Sequence, residues 1–145
     1  KLAAKLDFPT VATGFNALGH GSDTYMSNRG KVGITAECGT VNQTERFLPL
    51  AIKTALQFLQ YFGAIDETVP YDAVPQRHVN AERRIYKKTE SFAFAREYRD
   101  FEPLQEGEVF ATDGGEKLTA RAGECIIFPR TVPVGGEACI IGRFF

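Results

Sequence analysis

Glu37 is the residue whose surroundings best suit it to chemistry. It falls near the end of Val32-Gly-Ile-Thr-Ala-Glu-Cys-Gly39, where an apolar stretch gives way to a carboxylate, a small thiol and a glycine. In open α/β sheets the reactive groups sit at the carboxyl ends of strands. A glutamate lifted there into a crevice is partly desolvated and suited to general base work. The plain alternative is a solvated glutamate at a strand edge. Cys38 reads as a small core residue rather than a nucleophile, because no base stands at a recognisable spacing from it.

Other chemistry-bearing residues are few. The two histidines are His20, in the loop-like run Leu18-Gly-His-Gly-Ser22, and His78, in a proline-rich stretch. A catalytic zinc site takes three protein ligands, and this chain has little material for one of its own. Both histidines read more simply as surface or satisfied side chains. Cys38, Cys125 and Cys139 are an odd set, which is no disulfide framework, although Cys125 and Cys139 could pair. Free thiols point to a reducing compartment and hence the cytoplasm.

The elements that would position Glu37 follow from periodicity. Phe8–Thr13 is a weak strand, and 22–29 a short helix with Ser22 or Asp23 as its cap and Gly30 beyond its end. Residues 31–37, with β-branched side chains at 32, 34 and 35, form a better strand. Leu48, Ile52, Ala55, Leu59 and Phe62 then recur every three or four positions, one face of an amphipathic helix over 44–62. Asn42 or Thr44 would cap it, Pro49 must lie near its start, and Gly63 ends it. Strand, short helix, strand, long helix is an α/β pattern.

Beyond a connector at 64–80, carrying Pro70 and Pro75, the reading is β. Strands are expected over 81–89, at Phe92 to Tyr98, over 108–112 and 117–120, and at 125–128 and 138–141. Asp113-Gly-Gly-Glu116 is a hairpin turn. The predicted architecture is an α/β fragment over residues 1–63, the connector, and a small all-β barrel or sandwich over 81–145.

With 145 residues, a formal net charge of −1, 43% hydrophobic and 24% charged residues, the chain is an ordinary globular one. The near-zero charge argues against nucleic acid as a partner. No apolar run approaches the roughly 18 residues of a membrane span. The chain opens on Lys rather than Met, with no signal-type segment, so its true start is expected upstream.

Val32-Gly-Ile-Thr-Ala-Glu-Cys-Gly39 followed by a long amphipathic helix resembles the aspartoacylase and succinylglutamate desuccinylase family of carboxypeptidase-like zinc hydrolases. Three further stretches share the resemblance in order. They are Ala55-Leu-Gln-Phe-Leu-Gln-Tyr-Phe-Gly63, Phe101 to Gly115, and Gly123-Glu-Cys-Ile-Ile-Phe-Pro-Arg130. Together they span about residues 9–143. The resemblance implies that Glu37 is the catalytic general base. It also implies an arginine near Glu37 that grips a substrate carboxylate. Arg29, eight residues upstream, is the candidate, though only with a gap in the alignment. A helix-end arginine favoured by the dipole is the alternative. The family holds its zinc through a His-x-x-Glu motif and a second histidine, and this chain has no His-x-x-Glu. The implied zinc would therefore be held upstream, and the chain would be the C-terminal part of a longer enzyme.

On this reading the complete protein hydrolyses an amide or ester bond of a small N-acyl amino acid-like substrate. The rival is a non-catalytic β-module, either a carrier or a domain that shapes a partner's site. Lys117 beside the hairpin tip invites the carrier idea, but Gly114-Gly115 occupy the turn where an acceptor lysine would stand. The six basic residues from Arg83 to Arg99 are interleaved with four acidic ones, which suits a solvated strand face better than nucleic acid. An α/β fragment lacking its neighbours should expose apolar surface and self-associate.

Overall fold

The computed structural model describes residues 2–18, 21–39 and 41–145. The chain divides into two compact units. The first holds Lys1–Val11 and Gly21–Arg77, and the second holds the rest. The elements run β1 (Thr10–Thr13), α1 (Phe15–Leu18), α2 (Ser22–Ser27), α3 (Thr44–Tyr61), β2 (Arg77–Tyr86), β3 (Ala93–Phe94), β4 (Glu102–Pro103), β5 (Val109–Asp113), β6 (Glu116–Thr119), β7 (Glu124–Ile127) and β8 (Glu137–Phe144).

In the first unit both expected helices form. α2 follows Gly21, with no side-chain cap; Asp23 instead accepts a bond from the Thr24 amide at 2.8 Å. After its last turn the Gly30 amide reaches Ser27 and the Lys31 amide reaches Met26, with Gly30 at φ +65°. Gly63 closes α3 the same way, at φ +67°, the Ala64 amide reaching Leu59. Such paired bonds answer carbonyls that a helix end leaves open, and they need a left-handed residue. α3 starts from a 3₁₀ turn at Val41–Gln43, without a side-chain bond from its cap residue Gln43, and carries Pro49 inside it.

The face that α3 buries is the reverse of the expected one. Ile52 is 53% exposed, and Leu48, Ala55, Leu59 and Phe62 are exposed with it, whereas Gln57 is only 5% exposed and Thr54 is buried. The reason is a polar strap. Lys53 Nζ lies 2.6 Å from Asp7 and 2.6 Å from Asp72. Gln57 donates to Asp7 at 2.9 Å and to the Pro70 carbonyl at 2.8 Å, and the Asp72 amide donates to Asp7. Gln76 donates to the carbonyls of Ala3, Leu6 and Phe8. Burial alone would raise the Asp7 carboxyl, but Lys53, the Asp72 amide and Gln57 hold it below its usual value.

The expected strand at 31–37 does not form. Residues 31–39 form no regular element and make no ladder with any described strand. β-branched residues favour a pleated surface only where a neighbouring strand accepts their backbone groups, and the first unit supplies none. β1, the other strand expected of the α/β part, does form, but at the edge of the second unit's sheet.

The second unit is two sheets, one of five strands in the order β1-β2-β8-β7-β4 and one of three in the order β3-β5-β6, with the pairs β2–β8, β8–β7, β7–β4, β3–β5 and β5–β6 antiparallel. β8 lies between β2 and β7, with Ile140 opposite both Arg84 and Ile127. Alternate residues of these strands feed two clusters. Ile85, Ile126, Cys139 and Ile141 pack with Phe110, Ala111 and Leu104, while Val79, Ala81, Cys125, Ile127 and Ile140 pack with Phe15, Leu18, Phe101, Phe128 and Phe144. With apolar cover on both faces, β7 and the middle of β8 read as continuous apolar runs. The same alternation puts Cys125 and Cys139 in different clusters, and both are free thiols. Burial pushes the Cys139 thiol up to about 12.

Polar groups pin the remaining loops. Glu124, with a side chain 0% exposed, takes Arg83 at 3.0 and 3.2 Å and the Arg121 amide at 2.8 Å. Asp113 accepts the Thr89 hydroxyl at 2.6 Å and the amides of Lys88 and Thr89. The Thr89 hydroxyl and these amides favour the charged form and hold the Asp113 carboxyl below the usual aspartate range. A depressed native value contributes stability above the unfolded value of about 3.9 and loses it as pH falls through the native one. Thermal melts of the chain between pH 5 and 2 should therefore show an acid loss that Asp113→Asn reduces. An identical acid limb in the variant would remove Asp113 from the account.

Candidate catalytic segment

Glu37 sits on the run between α2 and α3, and two glycines fix that run. A Cβ on Gly33 would meet Asp23 Cα at 2.8 Å and Met26 Cβ at 2.9 Å, so this backbone lies directly against α2. Gly39 has φ +86°, and a Cβ there would stand 2.4 Å from the Phe47 ring of α3. Gly39 thus meets two demands that L side chains rarely satisfy together, a left-handed backbone and close approach to a ring. The residues between, including Glu37, are held by steric contact at both ends instead of by a sheet. Gly39→Ala should lower the chain's thermal midpoint, because a Cβ there overlaps the Phe47 ring; an unchanged midpoint would show that the segment tolerates displacement.

Glu37 is exposed, not desolvated in a crevice, and it makes no hydrogen bond or ion pair with another described residue. Cys38 beside it is half-buried, its thiol 3.8 Å from the Ala36 carbonyl. Arg29 turns back on its own helix. Its guanidinium lies over the Tyr25 ring, 3.6 Å from the centroid, and Nη1 donates to the Tyr25 carbonyl at 3.4 Å. No hydrogen bond or ion pair among the described residues joins Arg29 to Glu37. His78 lies in β2, with its ring 5.8 Å from the Phe145 ring, and His20 lies outside the described residues.

The donor set does not fit a zinc ion. Among the described residues no three His, Cys, Asp or Glu side chains converge on one point. The hairpin tip is as expected, with Gly114 and Gly115 at φ +59° and +85°, and Lys117 lies down the strand opposite Thr112. The basic residues of 83–99 are largely answered by carboxylates: Arg83 by Glu124, Arg84 by Glu137, Lys87 by Glu90, and Arg96 by Glu102 and Glu108. Sequence reading missed the Asp7–Lys53–Gln57 strap, whose partners stand about fifty positions apart with no local signal.

The two sheets of the second unit, entered by the long strand β2, give it a sandwich-like architecture. Residues 77–141 match the AstE/AspA barrel-sandwich hybrid domain. The fold is similar to a succinylglutamate desuccinylase of Vibrio parahaemolyticus, with TM-score 0.66 and 22% identity over 99% of this chain and 43% of that one. A succinylglutamate desuccinylase of Vibrio cholerae gives TM-score 0.55 and 25% identity over 79% of this chain and 33% of that one. The chain thus spans less than half the length of either. No curated protein matches it. No helix among the described residues is long and apolar enough to cross a membrane.

Proposed function

We propose that this chain is the C-terminal part of a zinc-dependent hydrolase that cleaves an amide or ester bond of a small N-acyl amino acid-like substrate. The observation that carries this reading is one of order. The Glu37 segment and α3 lead into a domain of the AstE/AspA family, within a chain whose fold follows less than half of a desuccinylase. Glu37 takes the proton of the attacking water and hands it to the leaving group. Its exposure in the isolated chain accords with a site whose other wall belongs to residues upstream. The zinc is held upstream as well, since the residues described here offer no ligand set. Arg29 is the candidate for the substrate carboxylate, and it would have to leave Tyr25 to serve. Three free thiols accord with a cytoplasmic enzyme.

The test is a comparison of the chain alone with the protein that includes its upstream sequence. The chain alone should bind zinc weakly and hydrolyse no N-acyl amino acid. An upstream His-x-x-Glu followed by a second histidine should restore both. Stoichiometric zinc or turnover in the 145-residue chain would sink the fragment reading.

The same reading predicts self-association. Leu48, Ile52, Ala55, Leu59 and Phe62 form an exposed apolar stripe on and just beyond α3, of a kind that monomers seldom leave open. Sedimentation should show the isolated chain as an oligomer, and Leu48→Lys with Ile52→Lys should return it towards monomer. A wild-type monomer at high concentration would count against this.

A further inference from the structure

A cavity of about 140 Å³ lies in the β-unit where the end of β2 meets β3 and the loop before β8, lined by Lys87, Phe92, Phe94, Arg130, Thr131 and Val132 among others. Its walls are fixed by backbone bonds. The Lys87 amide donates to the Gly136 carbonyl at 2.9 Å, Gly135 donates to the Lys87 carbonyl at 2.8 Å, and the Arg130 amide donates to Ala138 at 2.9 Å. The rings of Phe92 and Phe94 stand edge to face, 5.1 Å between centroids. An enclosed apolar cavity of about 150 Å³ admits benzene; this depression is of similar volume but open to solvent and mixed in lining, so it has room for one small ring with a polar group.

The charges around it are unevenly met. Lys87 has a side chain only 14% exposed, yet its nearest carboxylate, Glu90 at 2.9 Å, is 85% exposed. Glu137 is shared between Arg84 at 3.0 Å and Arg130 at 2.7 Å. Of these cations Lys87 and Arg130 line the cavity, each with one carboxylate partner, and that of Lys87 stands in water. An ammonium offers three donors, and an exposed ion pair such as Lys87–Glu90 is a weak competitor for them. The lining is mixed, with Lys87, Arg130 and Thr131 beside Phe92, Ala93, Phe94 and Val132, and convergent polar groups next to apolar side chains are what fixes a small ligand's orientation.

The geometry points to a binding site for a small organic carboxylate with an apolar body, its carboxylate on Lys87 and Arg130 and its body against Phe92, Phe94 and Val132. The site belongs to the β-unit alone and does not depend on the hydrolase reading. Benzoate titrated into the chain and followed by amide NMR should give saturable shifts confined to residues 87, 92–94 and 130–132. Benzamide, which has the same shape without the charge, should bind at least tenfold more weakly, and acetate, which lacks the ring, likewise. Lys87→Met, which keeps the side chain's apolar stem, should weaken benzoate about tenfold or more. Glu90→Gln removes an exposed competitor at little risk to the fold and should tighten benzoate severalfold. Unsaturable or scattered shifts, benzamide binding as well as benzoate, or benzoate affinity unmoved by both variants would each overturn the site.

Discussion

If the proposed hydrolase function holds, Glu37→Gln in the full-length protein is expected to abolish turnover and leave the zinc content unchanged. The amide is nearly isosteric with the carboxylate but accepts no proton. General base catalysis is worth roughly 10²–10⁴-fold. On the proposed mechanism the same group also returns the proton to the leaving group, so the loss in kcat should reach or pass the upper end of that range. KM should move less than kcat, since the zinc ligands and the substrate contacts are untouched. Loss of zinc would make Glu37 a ligand, and a loss of activity under tenfold would make it a bystander. Arg29→Lys is the companion. With the guanidinium stacked on Tyr25, KM should change little if that pose persists in the enzyme. A marked rise would show that Arg29 swings out to grip a carboxylate, a planar two-point contact that lysine does not replace.

Phe110→Ala should have the largest effect on folding. Phe110 is fully buried on β5 and packs with Ile85, Ile126, Cys139 and Ile141. Truncating a buried phenylalanine costs about 3–5 kcal/mol, the lost transfer energy plus the cavity left behind. A whole domain is stable by only about 5–15 kcal/mol. Denaturant melts of the chain should therefore show the variant's β-unit near the edge of unfolding, its midpoint lowered without a change in slope. A cost under about 1 kcal/mol would mean that the two sheets are less closely packed around Phe110 than they stand here.

The β-unit was largely legible in the sequence because its signals are local. The glycine pair at 114–115 needs two left-handed residues in succession, which all but specifies a tight hairpin. The apolar runs at 125–128 and 138–141 are strands covered on both faces. The Phe92–Phe94–Tyr98 spacing does bring those rings together, at 5.1 and 6.1 Å, although only residues 93–94 join a ladder. The first unit was legible only in its helices, whose ends are written in Gly30 and Gly63. Which face α3 buries was not. The apolar stripe predicts a buried seam, while Lys53, Thr54 and Gln57 turn inward because Asp7, Pro70 and Asp72 await them. The strand at 31–37 failed for a related reason, since pleating requires a partner that the pattern of one segment cannot reveal. For the candidate site the sequence suggests Glu37 but says nothing of what supports its segment. Gly33 and Gly39 act through Met26 and Phe47, contacts that exist only once two helices have folded.

The central place of β8 has a consequence for the chain's synthesis. β2 is finished by residue 86 and β7 by residue 127, yet the strand that joins them is Glu137–Phe144. Until it emerges, Val79 and Ala81 on one side and Ile126 and Ile127 on the other have no common neighbour, and both inner edges stand open. Sheets built on such distant pairings close slowly, and unpaired edges beside apolar residues are where nascent chains aggregate. The ribosome must therefore deliver nearly all of the β-unit before the β1-β2 and β7-β4 parts of its five-stranded sheet can be joined. Slow translation gives this unit no head start, and holdase chaperones should matter most over residues 77–136, the span made before its keystone strand exists.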